Sequence, residues 1–426
     1  MSELSSLEAS VADAVDAEAL VRSAQRLVRI PSWNGEERPA QELMIELMEA
    51  VGLEVDAWEI PMSEVRAHPD YAAEIDRKAP LGVVGTLRGS GGGRRLLLDG
   101  HVDVVPAGDL TLWTHPPFEG VVEDGRLWGR GALDMKGPLM AGLYALDAVR
   151  RAGASPRGDV HLLSVVGEED GGMGTLAAIL RGYRGDGAVV LEPSELRVAP
   201  AQAGCLNFRV RIAGRAAHGA VREEGVSALE KLFPVYRALQ ELEEERNRRL
   251  GGDPLFARYR LPFALCVGTV RGGDWASSVP DHVTMDGRLG IAPGEEPEDA
   301  RRETARALER AASRDPWLRE HPPTLEWWGG RFLSARTELD HPLVKSVHGA
   351  ATAVLGRTEP LEGMTYGADM GLLVNVGDTP TVLFGAGDIR RAHRPDEYVD
   401  VSDLVAMART LAVTVLRFCG SPSGSS

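Results

Sequence analysis

Residues 159–172 read DVHLLSVVGEEDGG: an apolar run that stops abruptly at two glutamates, an aspartate and two glycines. A run this short and this continuously apolar predicts a strand buried on both faces, as in a parallel sheet covered by helices. The stretches on either side fit that reading. Upstream, RRLLLDG (94–100) is another apolar strand, and MKGPLMAGLYALDAVRRAG (135–153) repeats apolar residues at helical spacing. Downstream, GTLAAILRG reads as a helix and DGAVVLEP (186–193) as a strand. Strands alternating with helices define a layered α/β domain with a mostly parallel, mixed sheet.

Further out, helical periodicity covers 17–30 and 38–52, VVGTLRG (83–89) reads as a strand, and 61–80 is a long connection. The glycine-rich RGSGGGRR (88–95) lies between two strand-like runs and is expected to be a hairpin turn. It does not join a strand to a helix as a Gly-x-Gly-x-x-Gly nucleotide loop would, which argues against a nicotinamide-dependent dehydrogenase. After Pro200 the pattern changes. NFRVRIAG alternates like a half-buried strand, a long helix is expected over about 224–249 with Pro234 as a kink, and two more strands and a helix follow. This predicts an α+β sandwich, residues 204–330, inserted into a larger α/β domain built from 1–203 and 331–426. The α/β pattern returns with HPLVKSVHGAATAVLG, TPTVLFGAG and a helix through Phe418, and the tail CGSPSGSS is expected to be disordered.

The chain has 426 residues, long enough for two domains, and 43% hydrophobic residues supply real cores. A net charge of −16 argues against nucleic-acid and anionic-membrane partners. No stretch reaches the roughly 18 apolar residues of a membrane span, and the acidic first residues do not resemble a signal peptide. Cys205, Cys266 and Cys419 are scattered and odd in number, which suits reduced thiols in a cytoplasmic protein.

Polar residues cluster where strands end, the place where open α/β sheets bind ligands. In GHVDVVPAG, His101 and Asp103 are one residue apart, so extended backbone points both side chains the same way. Asp103 can then take one ring proton of His101 and leave the other nitrogen for a metal; the alternative is a structural histidine. Asp134, in GRLWGRGALDMKG, suits either a helix N-cap or a carboxylate that bridges two metals. Glu192 in LEPS and His393 in GAGDIRRAHRPDEYV also follow strands.

Together GHVDVVPAG, GRLWGRGALDMKG, GEEDGG, LEPS, GRAAHG and GAGDIRRAHRPDEYV resemble, in order and over nearly the whole chain, the metal-dependent amidohydrolases that include acetylornithine deacetylase, succinyl-diaminopimelate desuccinylase, aminoacylase and glutamate carboxypeptidase. The resemblance implies two divalent ions per subunit, zinc first and cobalt or manganese as alternatives. It makes His101 and Glu192 ligands of one ion, Glu169 and His393 ligands of the other, and Asp134 the bridge. Glu168 would be the general base and Asp103 the carboxylate behind His101; Asp170 receives no role from the resemblance and is expected only to cap the next helix. His218, in GRAAHG, would touch the substrate carbonyl from a partner subunit, which implies a homodimer through 204–330. Gly131, Gly171 and Gly172 are expected to let loops bend tightly around this centre.

The expected activity is hydrolysis of N-acyl amino acids, in the manner of acetylornithine deacetylase. Alternatives are a desuccinylase, a metallo-carboxypeptidase or dipeptidase, and a non-catalytic binding homologue; the last is disfavoured because the whole ligand set is present. Departures from the family pattern concern substrate binding. DWASSVPD has Ser278 where relatives carry asparagine, and TYGADMGLL, with Met370, lacks the arginine of Gly-Thr-Asp-Ala-Arg. Gly367, Ala368 and Arg288 remain as candidates for a substrate carboxylate, with a surface salt bridge as the other reading of Arg288. Trp327, Trp328 and Phe332 are expected either to pack a hinge or to line a pocket.

Overall fold

The computed structural model describes residues 3–421; the end of the expected disordered tail, 422–426, lies outside the described residues. The chain divides into two compact units. One comprises the chain up to Ala201, Ala335–Gly363 and everything from Ala368 on; the other comprises Gln202–Ser334 together with Met364–Gly367.

The first unit is built on a six-stranded sheet in the order Glu54–Glu59, Leu81–Leu87, Val160–Val165, Leu96–His101, Gly187–Val190, Thr381–Leu383. The first two pairings are antiparallel and the other three parallel. Every residue of Leu96–His101, Val160–Val165 and Gly187–Val190 is buried, which is why these segments read as unbroken apolar runs. Helices cover both faces. A Cβ on Gly100 would meet Leu139 of the Lys136–Arg151 helix, whereas the neighbouring Asp99 reaches Thr175 of the Met173–Arg181 helix. Successive residues of a strand face opposite ways, so the two helices lie on opposite sides of the sheet.

This arrangement makes the site. The chain leaves Leu96–His101, crosses through one helix to Val160–Val165, then crosses back through the other to Gly187–Val190 on the far side of its starting strand. Reversing direction sends the crossovers to opposite faces and opens a crevice at the carboxyl ends of the three strands. His101, Glu168, Glu169 and Glu192 all follow there.

The glycine-rich segment 88–95 is not a hairpin turn: Val160–Val165 lies between the two strands it joins. Its backbone bonds instead to the chain entering that middle strand, with Ser90 N–H donating to Pro156 O and Gly91 N–H to Arg157 O. A Cβ on Gly93 would fall 2.1 Å from Cys419 O and 2.3 Å from Gly158 N, so close approach demands the glycine. The long connection 61–80 contains a short helix, Met62–Arg66.

The second unit is a four-stranded antiparallel sheet ordered Leu265–Gly272, His282–Ile291, Gly204–Ala213, Thr324–Phe332. Leu206, Phe208, Val210 and Ile212 alternate along one strand and pack with Val235 and Leu239 of helix Ala228–Leu250 and Ala300 and Leu308 of helix Pro297–Ser313. Helix Ala228–Leu250 runs unbroken through Pro234. Pro234 lies in its second turn, where the carbonyl it leaves unpaired is near the helix start. Trp327 packs edge-on against Phe208 with centroids 6.2 Å apart, and Trp328 lies under the Arg209 guanidinium at 4.6 Å. No described helix is long and apolar enough to cross a membrane.

Candidate metal centre

Within the first unit, the strand ends bring six of the predicted residues together. His101 Nε2 lies 3.2 Å from Asp134 Oδ1, 3.4 Å from Glu192 Oε1 and 4.0 Å from Glu168 Oε2. On the other side of Asp134, its Oδ2 is 3.3 Å from His393 Nε2, which is itself 3.1 Å from Glu169 Oε2. Two donor sets therefore share one carboxylate: His101, Asp134 and Glu192, and Asp134, Glu169 and His393. Glu168 belongs to neither. The first set is buried, while His393 stands at the surface with its side chain 52% exposed.

Asp134 is not a helix cap: the Lys136–Arg151 helix starts from Met135 without a side-chain cap, and both Asp134 oxygens face imidazoles. Glu397 fixes its backbone. That carboxylate, fully buried, accepts the Leu133 and Asp134 N–H groups at 3.1 and 3.2 Å and pairs with Arg130 at 2.5 Å. Asp103 differs from expectation. His101 Nδ1 donates to the Asp103 carbonyl at 2.9 Å, with the carboxylate Oδ1 at 3.7 Å. The carboxylate turns away because its Oδ2 accepts the Glu169 N–H at 3.1 Å. A carbonyl only accepts, so the effect on the ring is the expected one: Nδ1 carries a proton and Nε2 faces Asp134 and Glu192.

Charge is badly unbalanced here. Burial, then repulsion from Glu192, pushes Glu168 well above the usual carboxylate range, and burial with repulsion from Asp134 takes Glu192 up to about 7. Burial and Asp134 also raise Glu169. Burial works against the charged imidazoles, yet the surrounding carboxylates overcome it; His393 is driven up to about 11, chiefly by Glu169 and Asp134. Asp134 is held well below its ordinary value because hydrogen bonds from His101 and His393 outweigh burial. A buried excess of carboxylate that draws protons onto its histidines is a donor set suited to divalent cations, and its oxygen–nitrogen chemistry fits zinc, cobalt or manganese.

Asp170 is not a helix cap either. Helix Met173–Arg181 starts from Gly172 with no side-chain cap, and Asp170 Oδ2 accepts the Glu74 and Ile75 N–H groups. Asp369 lies unread inside TYGADMG; Thr175 Oγ1 donates to it at 2.7 Å and sits 3.2 Å from Asp99, and burial takes Asp369 up to about 6. Its one signal in the sequence is its place directly after Gly367 and Ala368, in the segment considered for a substrate carboxylate. Glu397 was equally legible only as a member of the His393 motif.

The remaining candidates fall elsewhere. Ala368 is buried in the first unit. His218, Ser278, Arg288 and Gly367 belong to the second. His218 and Ser278 face each other in an isolated antiparallel bridge, and His218 is exposed, its Nδ1 accepting the Ala220 N–H at 3.1 Å. Arg288 is half-buried, and its Nε finds no hydrogen-bond partner among the described residues. A Cβ on Gly367 would come within 2.3 Å of Phe332 Cβ, so packing alone requires that glycine.

A mixed α/β layer with an imidazole–carboxylate cluster at its strand ends places the chain among the metal-dependent amidohydrolases and peptidases, which are hydrolases. The chain belongs to peptidase family M20/M25/M40, whose model matches residues 97–417. It is 29% identical to an N-formyl-4-amino-5-aminomethyl-2-methylpyrimidine deformylase of Halalkalibacterium halodurans over 94% of this chain and 95% of that one. A probable succinyl-diaminopimelate desuccinylase of Staphylococcus aureus is 26% identical over 80% of this chain and 83% of its own. In fold, the chain is similar to a dipeptidase of Saccharomyces cerevisiae, with a TM-score of 0.75 at 16% identity, covering 98% and 99% of the two chains.

Proposed function

We propose that the protein hydrolyses the amide bond of N-acyl amino acids, as acetylornithine deacetylase does, using two divalent metal ions, zinc first. The observation that carries this reading is the pair of donor sets sharing Asp134, with Glu168 beside them and in neither. His101, Asp134 and Glu192 would hold one ion and Asp134, Glu169 and His393 the other; when bound, such ions acidify water and polarise an amide carbonyl. Glu168 takes a proton from the attacking water and returns it to the departing amine. Burial among carboxylates, which raises its proton affinity, suits it to both steps. His101 is kept in one tautomer by the Asp103 carbonyl, and Asp103 holds the Glu169 backbone. His218, which the family resemblance brings from a partner subunit, would donate to the oxyanion, and Ser278, Arg288 and Ala368 are the proposed substrate contacts. We place the enzyme in the cytoplasm as a homodimer formed through residues 204–330.

The deformylase relative supports a small acyl group and favours one second reading, removal of a formyl group from the aminomethyl arm of a heteroaromatic amine. A panel of N-formyl, N-acetyl and N-succinyl amino acids, an N-formyl aminomethylpyrimidine and dipeptides, assayed with metal-loaded and chelator-treated protein, separates these. Turnover of N-acetyl amino acids that chelation abolishes and metal restores is expected. An unchanged rate after verified metal removal contradicts the mechanism, and turnover of the pyrimidine alone moves the assignment to the second reading.

A further inference from the structure

The connection 61–80 carries a charge that none of this chemistry uses. Arg77 is only 4% exposed. Its Nε and Nη2 both reach Glu37 Oε1, at 3.0 and 2.9 Å, while Nη1 donates to Asp170 Oδ2 at 3.0 Å and Nη2 lies 2.9 Å from Asp170 Oδ1. Asp170 Oδ2 also accepts the Glu74 and Ile75 N–H groups at 3.0 and 2.7 Å. One carboxylate thus fastens residues 74–77 to the turn that carries Glu168 and Glu169.

Two glycines of that turn mark the pressure points. A Cβ on Gly167 would come within 2.9 Å of the Arg77 guanidinium carbon, and one on Gly171 within 2.8 Å of Ala72 O. From the opposite direction, Asp103 holds the Glu169 N–H. The turn is gripped at Glu169 and again at Asp170. Beside these grips Glu168 reaches toward His101 and Glu169 toward His393.

We infer that Arg77 is a positioning residue: through Asp170 it fixes the Gly167–Gly172 turn so that two adjacent carboxylates project to different places. The inference rests on the assignment of Glu169 to a metal and Glu168 to proton transfer. Burying one guanidinium and two carboxylates is costly, and a planar fork that meets both acids at once holds orientation where a lysine would supply only charge. Asp170 is the middle of the linkage, so deleting Arg77 or neutralising Asp170 should release the same turn.

The test compares Arg77→Met, Arg77→Lys, Asp170→Asn and the Arg77→Met/Asp170→Asn double variant in full-length protein, with folding checked by circular dichroism. Chelator-stripped protein is titrated with Co2+ and followed by visible absorbance, and kcat and KM are measured on the best substrate of the panel. Each single variant is expected to weaken one of the two cobalt-binding steps by about tenfold or more. The kcat should fall comparably while KM stays within about threefold. The double variant should be no worse than its poorer parent, and Arg77→Lys should recover only part of the loss. Wild-type cobalt affinities in folded Arg77→Met, or losses that multiply in the double variant, overturn the inference. If Arg77→Met fails to fold, the near-isosteric Asp170→Asn decides by the same criteria. Wild-type protein that takes up no cobalt overturns the metal assignment beneath it and the inference with it.

Discussion

Side by side in the chain, Glu168 and Glu169 meet different neighbours: one sits 4.0 Å from His101, the other 3.1 Å from His393. The pair stands out in the sequence because two acids interrupt an apolar run. How they are held was not, since Asp170 meets Arg77 across more than ninety residues and Glu397 reaches back to the Asp134 amide from still farther away. Sequence spacing reveals neighbours along a strand or helix, not partners recruited by the tertiary fold. His161 shows the same limit. It lies within an apolar strand, half hidden from the eye as one more buried position, yet it hydrogen-bonds Thr86 at 2.9 Å, and burial takes its pKa down to about 4 from 6.5. The unfolded chain therefore binds the extra proton more readily between those two pH values. Stability should fall as pH drops from about 6.5 to 4 and be unaffected by this group above that window. At pH 5 the loss should be about 2 kcal/mol. Urea unfolding of wild type and His161→Gln at pH 7.5 and 5 checks this: the variant should lose less stability on acidification, and equal losses would rule His161 out as the source.

Among the elements, those buried on both faces were the easiest to read. LLLDGH and VHLLSV could hardly be anything but interior strands, and the polar residues ending them could only lie at the crevice. The glycine-rich 88–95 suggests a hairpin because its flanking strands are near in sequence, while the sheet places Val160–Val165, more than sixty residues later, between them. Helix Ala228–Leu250 keeps Val235 and Leu239 in the core of its unit but leaves Leu229, Phe233 and Tyr236 exposed by 48%, 62% and 40%. Their spacing puts them on one face. Beside this helix, Leu265–Gly272 is an edge strand with Val270 also exposed by 51%. An apolar helical stripe and an open strand edge are the features a homodimer would cover. Phe233→Glu is accordingly expected to convert a dimer to a monomer in size-exclusion chromatography with light scattering, leaving the melting temperature of the catalytic unit unchanged. A monomeric wild type, or a variant that stays dimeric, would reject this interface.

For the whole molecule, the α/β alternation, its interruption after Pro200 and its return near residue 341 were visible as changes of period. The short piece Met364–Gly367, which joins the second unit, was not, because four residues have no period. The proposed mechanism divides labour at the end of one strand: cation binding by Glu169 and proton transfer by Glu168. Metal content and turnover of Glu168→Ala and Glu169→Ala, each purified in the presence of zinc and measured beside wild type, test that division most directly. Glu168→Ala is predicted to keep two metal ions per subunit while kcat falls by about 10²–10⁴-fold. Glu169→Ala is predicted to lose one of the two ions. Equal metal loss in both variants, or a Glu168→Ala protein that turns over at the wild-type rate, would contradict it.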